Sequence, residues 1–344
     1  MSKILLAKGD NPLDHFQPSV DFILKTQCSD GSIPWFTGGH LDPWDHAEAA
    51  MGLSIAGRYD EAVAAYQWSA DNQLETGAWW AKYVDGQPVM DDDPRYETNF
   101  IAYIATGVWH HYLITEDRGF LEQMWPCVEA AIDYVLSYQA NNGTITWAIE
   151  HSGAPKKDAL VTGCSSIYKS IECAINIAAT LKQPKPDWIS GRAALGDAMR
   201  HHPERFDQSK SRYSMDWFYP ILTGVYQGQR AADHIDKHWD TFVKDEMGCL
   251  CVSDEPWVTI AESCELTMAL IAAGKQESAT ELFSWLHQYR CDEGVHWTGY
   301  QYHLDLLWPN EQPTWTAGAV LLAADALCDA TPASRLFTEV NLLG

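Results

Sequence analysis

Residues 22–35 read FILKTQCSDGSIPW, and this stretch decides the fold because its pattern recurs along the chain. An apolar segment that begins at Phe22 runs into Gln27, a turn that contains Gly31, and then the aromatic Trp35. This order is typical of a helix that ends in a glycine-bearing turn. A pattern that recurs at intervals predicts a fold assembled from similar units.

Three further copies have the same order of an apolar segment, glutamine, glycine and tryptophan. Their glutamine, glycine and tryptophan positions are Gln73, Gly77 and Trp79; Gln139, Gly143 and Trp147; and Gln288, Gly294 and Trp297. Two weaker copies place Trp217 and Trp257 after turn-like segments. The sequence therefore predicts six repeats.

Apolar residues at spacings of three and four between these turns predict two sets of helices. The set rich in Ala, Gly and Ser is expected to crowd around a central axis, at residues 43–57, 97–115, 163–182, 217–227, 257–273 and 314–328. The more amphipathic set is expected outside it, at residues 12–27, 59–74, 118–140, 187–203, 229–243 and 275–290. We predict an all-α (α/α)6 toroid of six helical hairpins, formed by residues 1–344 as one domain. An open solenoid is the alternative, but it would need polar capping repeats that neither end of the chain has.

The motif of Phe22, Gln27, Asp30, Gly31 and Trp35 resembles the QW motif of squalene-hopene-type terpenoid cyclases. That toroid is shared with the β-subunits of protein prenyltransferases, and the sixfold pattern also resembles six-hairpin glycosidases. The chain as a whole looks like uncharacterised bacterial proteins commonly labelled prenyltransferase. These resemblances imply the fold and leave the chemistry open.

Charge and composition narrow the range of partners. Lys and Arg number 23 against 47 Asp and Glu, a formal net charge of −24, which repels nucleic acid and anionic lipid surfaces. We expect no membrane insertion, because no apolar run reaches the length of a span. The first residues lack a signal-peptide pattern, and nine scattered Cys fit a reducing compartment, so we expect a cytoplasmic protein.

The loops that lead into the inner helices are expected to form the mouth of a central cavity. They contain four carboxyl candidates for catalysis: Asp216, Glu262, Asp45 and Glu97. Asp216 lies between apolar residues, where lost solvation would raise its pKa, although it could instead cap a helix. Glu262 and Glu265 lie on one face of a predicted helix, and Glu262 is nearer the mouth. Asp45 follows Asp42 and Pro43, which form a good helix start.

Aromatic and polar side chains in the same loops predict a binding surface for a neutral saccharide. The candidates are Trp35, His40, Trp44, His46, Tyr168, Trp217, Trp257, Trp297, Tyr300 and Trp315. Sugar rings stack on aromatic faces, and hydrolysis of a glycosidic bond requires one protonated and one ionised carboxyl group. We therefore predict a glycoside-hydrolase-like enzyme that uses Asp216 and Glu262, with Asp45 as the third choice. Similarity to six-hairpin glycosidases implies inversion of configuration.

Two other functions stay open. In the first, a terpenoid cyclase or prenyltransferase, aromatic faces would stabilise carbocations. Against it, Met90 in MDDDPRYETN stands where the first acid of a DxDD motif belongs. The second is a toroid that binds a sugar or a partner without catalysis. No metal-ligand spacing is present, so we predict neither a metal nor a cofactor. The oligomeric state is left open.

Overall fold

The computed structural model describes residues 4–90 and 93–343; Asp91 and Asp92 of the segment just quoted lie outside that range. Six helices form an inner ring: α2 (Pro43–Ile55), α4 (Thr98–Thr115), α6 (Val161–Leu181), α8 (Ser214–Leu222), α10 (Ile260–Ala272) and α12 (Thr314–Cys328). Six others form an outer ring: α1 (Leu13–Thr26), α3 (Tyr59–Asp71), α5 (Arg118–Ser137), α7 (Pro186–His201), α9 (Gly228–Phe242) and α11 (Gln276–Trp285). Both rings match the predicted segments to within a few residues.

The inner ring is closed. Each inner helix packs against the next in chain order, and α12 packs against α2. The outer helix α1 packs on α12, so the first outer helix pairs with the last inner helix, as predicted. The predicted (α/α)6 toroid is thus confirmed, and the open solenoid is wrong because its two ends would not meet.

The repeated turns explain how neighbouring outer helices are joined. The side-chain amide of Gln27 donates to the carbonyl of Gly31 at 3.1 Å and to that of Glu61, on α3, at 2.9 Å. Gly31 has a φ of +92°, and a Cβ there would lie 2.2 Å from the carbonyl oxygen of Ala64. Only glycine fits such a close approach in the left-handed region. Each turn therefore fixes the start of one hairpin against the next outer helix.

The second and third copies repeat these bonds, whereas the fourth uses a different residue. Gln73 donates to the carbonyls of Gly77 and Cys127, and Gln139 makes the corresponding pair of bonds. In the fourth copy, Arg290 rather than Gln288 lies four residues before the glycine. Its guanidinium donates to the carbonyl of Gly294 and to that of His15 on α1. Arg290 therefore joins the last outer helix to the first.

Short antiparallel strands precede several inner helices and build up the mouth. They are β1 (His40–Leu41), β2 (Tyr83–Val84), β3 (Gln87–Pro88), β4 (Arg95–Glu97), β5 (Ala148–Glu150), β6 (Val243–Lys244), β7 (Gly248–Leu250), β8 (Trp257–Thr259), β9 (Gly299–Gln301) and β10 (Leu306–Leu307). Their order is β1-β2-β3, β4-β5 and β10-β9-β8-β7-β6. Within the described residues, no helix has both the length and the apolar character needed to cross a membrane.

Candidate active site

A cavity of about 480 Å³ opens at the amino-terminal ends of α2 and α4. Its walls come from the loops before these two helices, and they are Trp35, His40, Asp42, Ala81, Lys82, Val89, Asp93, Pro94, Arg95, Glu97 and Phe100. This volume suits a ligand of a few sugar rings. Three predicted residues, Trp35, His40 and Glu97, share this wall.

Trp35 and His40 form an aromatic surface in the cavity. Their ring centres lie 4.4 Å apart, and the ring of Trp315 lies 6.4 Å from that of Trp35. The indole nitrogen of Trp35 donates to Asp42 Oδ2 at 2.9 Å, which fixes the ring at the entrance. Partial burial lowers the pKa of His40, so this imidazole is held neutral over a wider pH range.

Glu97 faces the same cavity beside a cation. Arg95 donates to its carboxylate at 2.8 Å, and Arg95 also pairs with Asp93 at 3.3 Å. Burial raises the pKa of Glu97, while the charge of Arg95 opposes that increase. These charged groups are held in fixed positions where they can bind the polar atoms of a ligand. A general acid needs a carboxyl group that is not paired with a cation, and Glu97 is paired with Arg95.

The first turn of α2 carries the best candidate for a proton donor. Asp42 caps this helix, because its Oδ1 accepts the backbone N–H of Asp45 at 2.9 Å. Burial raises the pKa of Asp45 well above its ordinary value, and the charge of Asp42 adds to this increase. The negative charges of Glu48 and Glu265 act in the same direction. Asp45 therefore keeps its proton to a higher pH than an ordinary aspartic acid does.

Trp44 and Glu48 continue the site toward the ring axis. Trp44 stacks on Tyr103 with ring centres 4.7 Å apart, and its indole nitrogen donates to Glu48 Oε2 at 3.1 Å. Tyr103 also donates to Glu48 Oε2 at 3.1 Å. On α8, Tyr219 donates to Glu265. The predicted catalytic and binding residues include Trp44 but not Glu48, Tyr103 or Tyr219.

One signal could have found Glu48, and none could have found the two tyrosines. Glu48 lies three residues after Asp45, so the two carboxyl groups share a helix face. Tyr103 and Tyr219 stand in apolar helical segments where an aromatic residue is ordinary core material.

Glu262 lies on the opposite side of α12 from Asp45. It is 6% exposed in the first turn of α10, and burial raises its pKa. Glu265 is one turn deeper on the same helix, 2% exposed. Both carboxyl groups of this face are therefore buried, whereas the sequence favoured one, and neither lines the 480 Å³ cavity.

Asp216 does not join the other carboxyl groups. Its Oδ1 accepts the backbone N–H of Thr162 at 3.1 Å and the hydroxyl of Thr162 at 2.6 Å, so it caps α6 from the neighbouring helix α8. It borders a separate cavity of about 220 Å³ with residues of α9, including His234 and Phe242. Burial raises the pKa of Asp216 to about 6, although the bonds from Thr162 oppose this. The predicted pairing of Asp216 with Glu262 is therefore not supported by the placement of Asp216.

Three predicted aromatic or imidazole side chains lie between the helix rings. The ring of Trp217 stacks on Phe242 of α9 at 5.1 Å. His46 accepts the N–H of Ile33 and donates to the carbonyl of Ala65. The ring of Tyr168 lies 3.8 Å from the guanidinium of Arg192 on α7. These residues were assigned to the mouth by loop position, but the rotation of each helix turns them outward.

The remaining aromatic candidates belong to the five-stranded sheet near α10. Trp257 donates to the carbonyl of Trp308 at 2.8 Å, and the hydroxyl of Tyr300 donates to Asp305 at 2.7 Å. Trp297 is half-buried in the loop that precedes β9. None of the three lines the 480 Å³ cavity. Among the residues that the structure describes, no group of three or more His, Cys, Asp or Glu side chains could hold a metal ion.

Comparison with known proteins identifies hydrolases of carbohydrates. The chain is 45% identical over 320 residues to an MMP endo-(1,4)-3-O-methyl-alpha-D-mannosidase of Mycolicibacterium hassiacum (strain DSM 44199 / CIP 105218 / JCM 12690 / 3849), covering 93% of this chain and 88% of that protein. It is 26% identical over 156 residues to a kojibiose hydrolase of Mucilaginibacter mallensis, covering 42% of this chain and 23% of that protein. No family model matches the sequence.

Solved structures share the toroid at low sequence identity. A glycosidase variant in complex with glucose superposes with a TM-score of 0.71 and 14% identity, covering 92% of this chain and 97% of that one. A D-mannose isomerase gives a TM-score of 0.66 and 10% identity, covering 92% and 96%. The resemblance to bacterial proteins labelled prenyltransferase is not supported by these findings. The chain belongs to the family of the M. hassiacum endo-mannosidase and is a glycosidase-like hydrolase.

Proposed function

We propose that this protein, as a single catalytic domain, cleaves internal α-(1,4) bonds in a chain of 3-O-methyl-D-mannose. The identity of 45% to an enzyme named for that reaction supports this substrate. The observation that carries the proposal is Asp45, a buried carboxyl group whose pKa is raised and whose backbone N–H is bound by Asp42, a residue of the cavity wall. A neutral, partly methylated sugar suits a cavity that combines Trp35 and Phe100 with polar side chains.

Asp45 is the proposed general acid. Its proton would pass to the glycosidic oxygen as the bond from the anomeric carbon to that oxygen breaks, while a water molecule that gives its proton to Glu262 forms the new bond to that carbon. Protonation of the leaving group requires an acid that keeps its proton near neutral pH, and burial together with the charge of Asp42 provides this. Asp42 is the proposed positioning residue, because it caps the turn that carries Asp45 and fixes Trp35.

Glu262 is the proposed second carboxyl group. It begins α10 as Asp45 begins α2, and α12 with Trp315 in its first turn lies between them. A sugar bound over Trp315 would therefore have one carboxyl group on each side, as glycoside hydrolysis requires. Glu97 and Arg95 are proposed to bind substrate hydroxyl groups at the outer end of the cavity.

The test is hydrolysis of a 3-O-methylated α-(1,4)-mannan oligosaccharide by the full chain, with products resolved by mass. We expect fragments of intermediate length first, because an endo-acting enzyme cuts inside its substrate. An unmethylated α-(1,4)-mannan oligosaccharide of the same length is the control and should be cut more slowly. Cleavage of neither sugar, or release of single residues from one end, would contradict the proposal.

The carboxyl assignment is tested separately with Asp45→Asn and Glu262→Gln. Each should lower kcat by about 10²- to 10⁴-fold with substrate binding retained, since each removes proton transfer and keeps the side chain's shape. Normal turnover by Glu262→Gln would remove that residue from the mechanism and leave the substrate proposal standing.

A further inference from the structure

Two buried carboxyl groups below Asp45 have no part in the chemistry just proposed. Glu48 of α2 is 1% exposed and Glu265 of α10 is 2% exposed. One oxygen of each is bonded: Glu48 Oε2 accepts from Trp44 and Tyr103, and Glu265 Oε1 accepts from Tyr219. Buried carboxyl groups are costly, so an arrangement that retains two of them near one point calls for a physical explanation.

The residues that carry their other oxygens line one small cavity. Glu48 Oε1, Glu265 Oε2 and the hydroxyl oxygen of Ser166 are buried and make no hydrogen bond of normal geometry within the protein. The indole N–H of Trp315, likewise unpartnered, acts on Glu48 as a hydrogen-bond donor that lowers its pKa. Glu48, Glu265 and Ser166 line a cavity of about 10 Å³. A volume of roughly 10 to 15 Å³ with two to four polar partners is what one buried water requires. The three unpartnered oxygens and this volume fit one water molecule.

The surroundings cannot neutralise two negative charges. The titratable and charged groups around the pair are Asp42 before α2, Asp45 of α2, Tyr103 of α4, Lys169 of α6, Tyr219 of α8, Cys249 of β7, and Glu262 and Cys264 of α10. Lys169, the one cation among the described residues that line this cavity, donates to Glu172 at 2.8 Å and to the carbonyl of Glu339 at 2.9 Å, and Arg192 also pairs with Glu172. From α12 and the C-terminal segment, the cavity is lined by the apolar Leu322 and Phe337. Two carboxyl groups that share such a site do not both ionise.

We propose that Glu48 and Glu265 hold one water together with Ser166, share one proton, and carry a single negative charge that keeps Asp45 protonated. Glu48 and Glu265 are then positioning residues that act through Asp45. The consequence for catalysis rests on the proposed role of Asp45 as general acid. The shared proton itself does not depend on the identity of the substrate.

A proton shared between Glu48 and Glu265 predicts a different result from two carboxylates that ionise independently. If one member becomes an amide, the remaining carboxyl group ionises freely, and the charge below Asp45 stays at minus one. If both become amides, that charge is zero. Two independent carboxylates would instead lose one charge at each substitution.

The first experiment needs no substrate. In an Asp45→Asn background, infrared difference spectra at neutral pH are recorded for Glu48→Gln, Glu265→Gln and the double variant. We expect the same loss of protonated-carboxyl intensity in all three. No loss in the single variants would mean that both groups are ionised, and twice the loss in the double variant would mean that both are protonated. Either result overturns the proposal.

The second experiment uses the pH dependence of kcat/KM in the presence of Asp45. The alkaline limb of this profile, where activity falls as the pH rises, should stay in place in each single variant. In the double variant it should move to lower pH by about one unit or more, because a negative charge near Asp45 has been removed. Equal stepwise shifts would contradict sharing. Asp325→Asn, which changes a similarly buried carboxyl group in the last turn of α12, is the matched control and should leave the limb unchanged.

A structure of the wild-type protein at high resolution tests the water without any variant. We expect one water within hydrogen-bond distance of Glu48 Oε1, Glu265 Oε2 and the Ser166 hydroxyl. A direct bond between the two carboxyl groups, with no water, would overturn the bridge. If these tests confirm the shared proton and the methylated mannan is not cleaved, the proposed substrate is wrong and the proposal for Glu48 and Glu265 stands.

Discussion

Asp45 and Asp216 look alike in the sequence and behave differently in the fold. Each lies in the first turn of an inner helix, next to or near a tryptophan, and burial raises the pKa of each. Asp216 is bonded twice by Thr162, and it faces α6 and the cavity beside α9. Asp45 is surrounded by other carboxyl groups, one of which, Asp42, lines the cavity at the mouth.

The difference shows that burial alone does not identify a catalytic acid. At Asp216 the donors that surround the carboxyl group compensate for lost solvation, so its role is to join two helices. At Asp45 the neighbouring carboxyl groups increase the cost of ionisation, which is the condition for a proton donor. A buried carboxyl group whose lost solvation is not compensated by hydrogen-bond donors is therefore the better candidate for a catalytic acid.

The largest expected effect separates the two acids by activity. Asp45→Asn should lower kcat by about 10²- to 10⁴-fold, because the general acid is removed. Asp216→Asn is the matched control and should keep kcat near the wild-type value. Steady-state kinetics on the methylated mannan oligosaccharide measures both. If Asp216→Asn loses as much turnover as Asp45→Asn, Asp216 takes part in catalysis.

The two tryptophans sharpen the same comparison. Trp217→Ala should destabilise the protein by about 3 to 5 kcal/mol, because it empties the space packed by Phe242 and α9. Trp35→Ala should instead raise KM with a smaller loss of stability, since Trp35 is half-buried at the cavity wall. Urea unfolding and substrate titration distinguish the two. Unchanged KM in Trp35→Ala would argue against sugar stacking at that ring.

The pH dependence of stability tests the environment of Asp216. Its pKa in the folded protein, about 6, is above the ordinary value of 3.8, so the folded state binds the proton more tightly. The stabilisation is therefore present below about pH 4 and is lost as the pH rises through 6. It amounts to at most about 3 kcal/mol.

Urea unfolding of the wild type and Asp216→Asn at pH 4 and pH 7 measures this contribution. The stability of the wild type relative to the variant should be greater at pH 4 than at pH 7. A constant difference between the two proteins would mean that Asp216 titrates normally.

The smallest expected effect concerns the cap beside Asp45. Asp42→Ala should cost about 1 kcal/mol of stability through the lost cap, and it also frees the indole of Trp35. Asp42→Asn keeps a capping oxygen and should preserve stability, but it removes the charge that helps to keep Asp45 protonated. In Asp42→Asn the alkaline limb of activity should move to lower pH. An unmoved limb would show that the charge of Asp42 does not act on Asp45.

The sequence determined the ring. Helix periodicity and the turns at Gly31, Gly77 and Gly143 are local signals, and each turn depends on a glycine that fits against the next outer helix. Their number and spacing were enough to predict six hairpins and their boundaries within a few residues. The same local reasoning found the cap at Asp42, because capping depends on residues three positions apart.

Only the tertiary structure decided which side chains face the axis. That depends on the rotation of each helix about its own axis, and the packing of neighbouring helices sets this rotation. Trp217 and Tyr168 therefore face the outer ring, while Tyr103 and Tyr219 meet Glu48 and Glu265 at the centre. The bonded pairs there are 55 and 46 residues apart in the chain, and a local sequence pattern cannot show such long-range contacts.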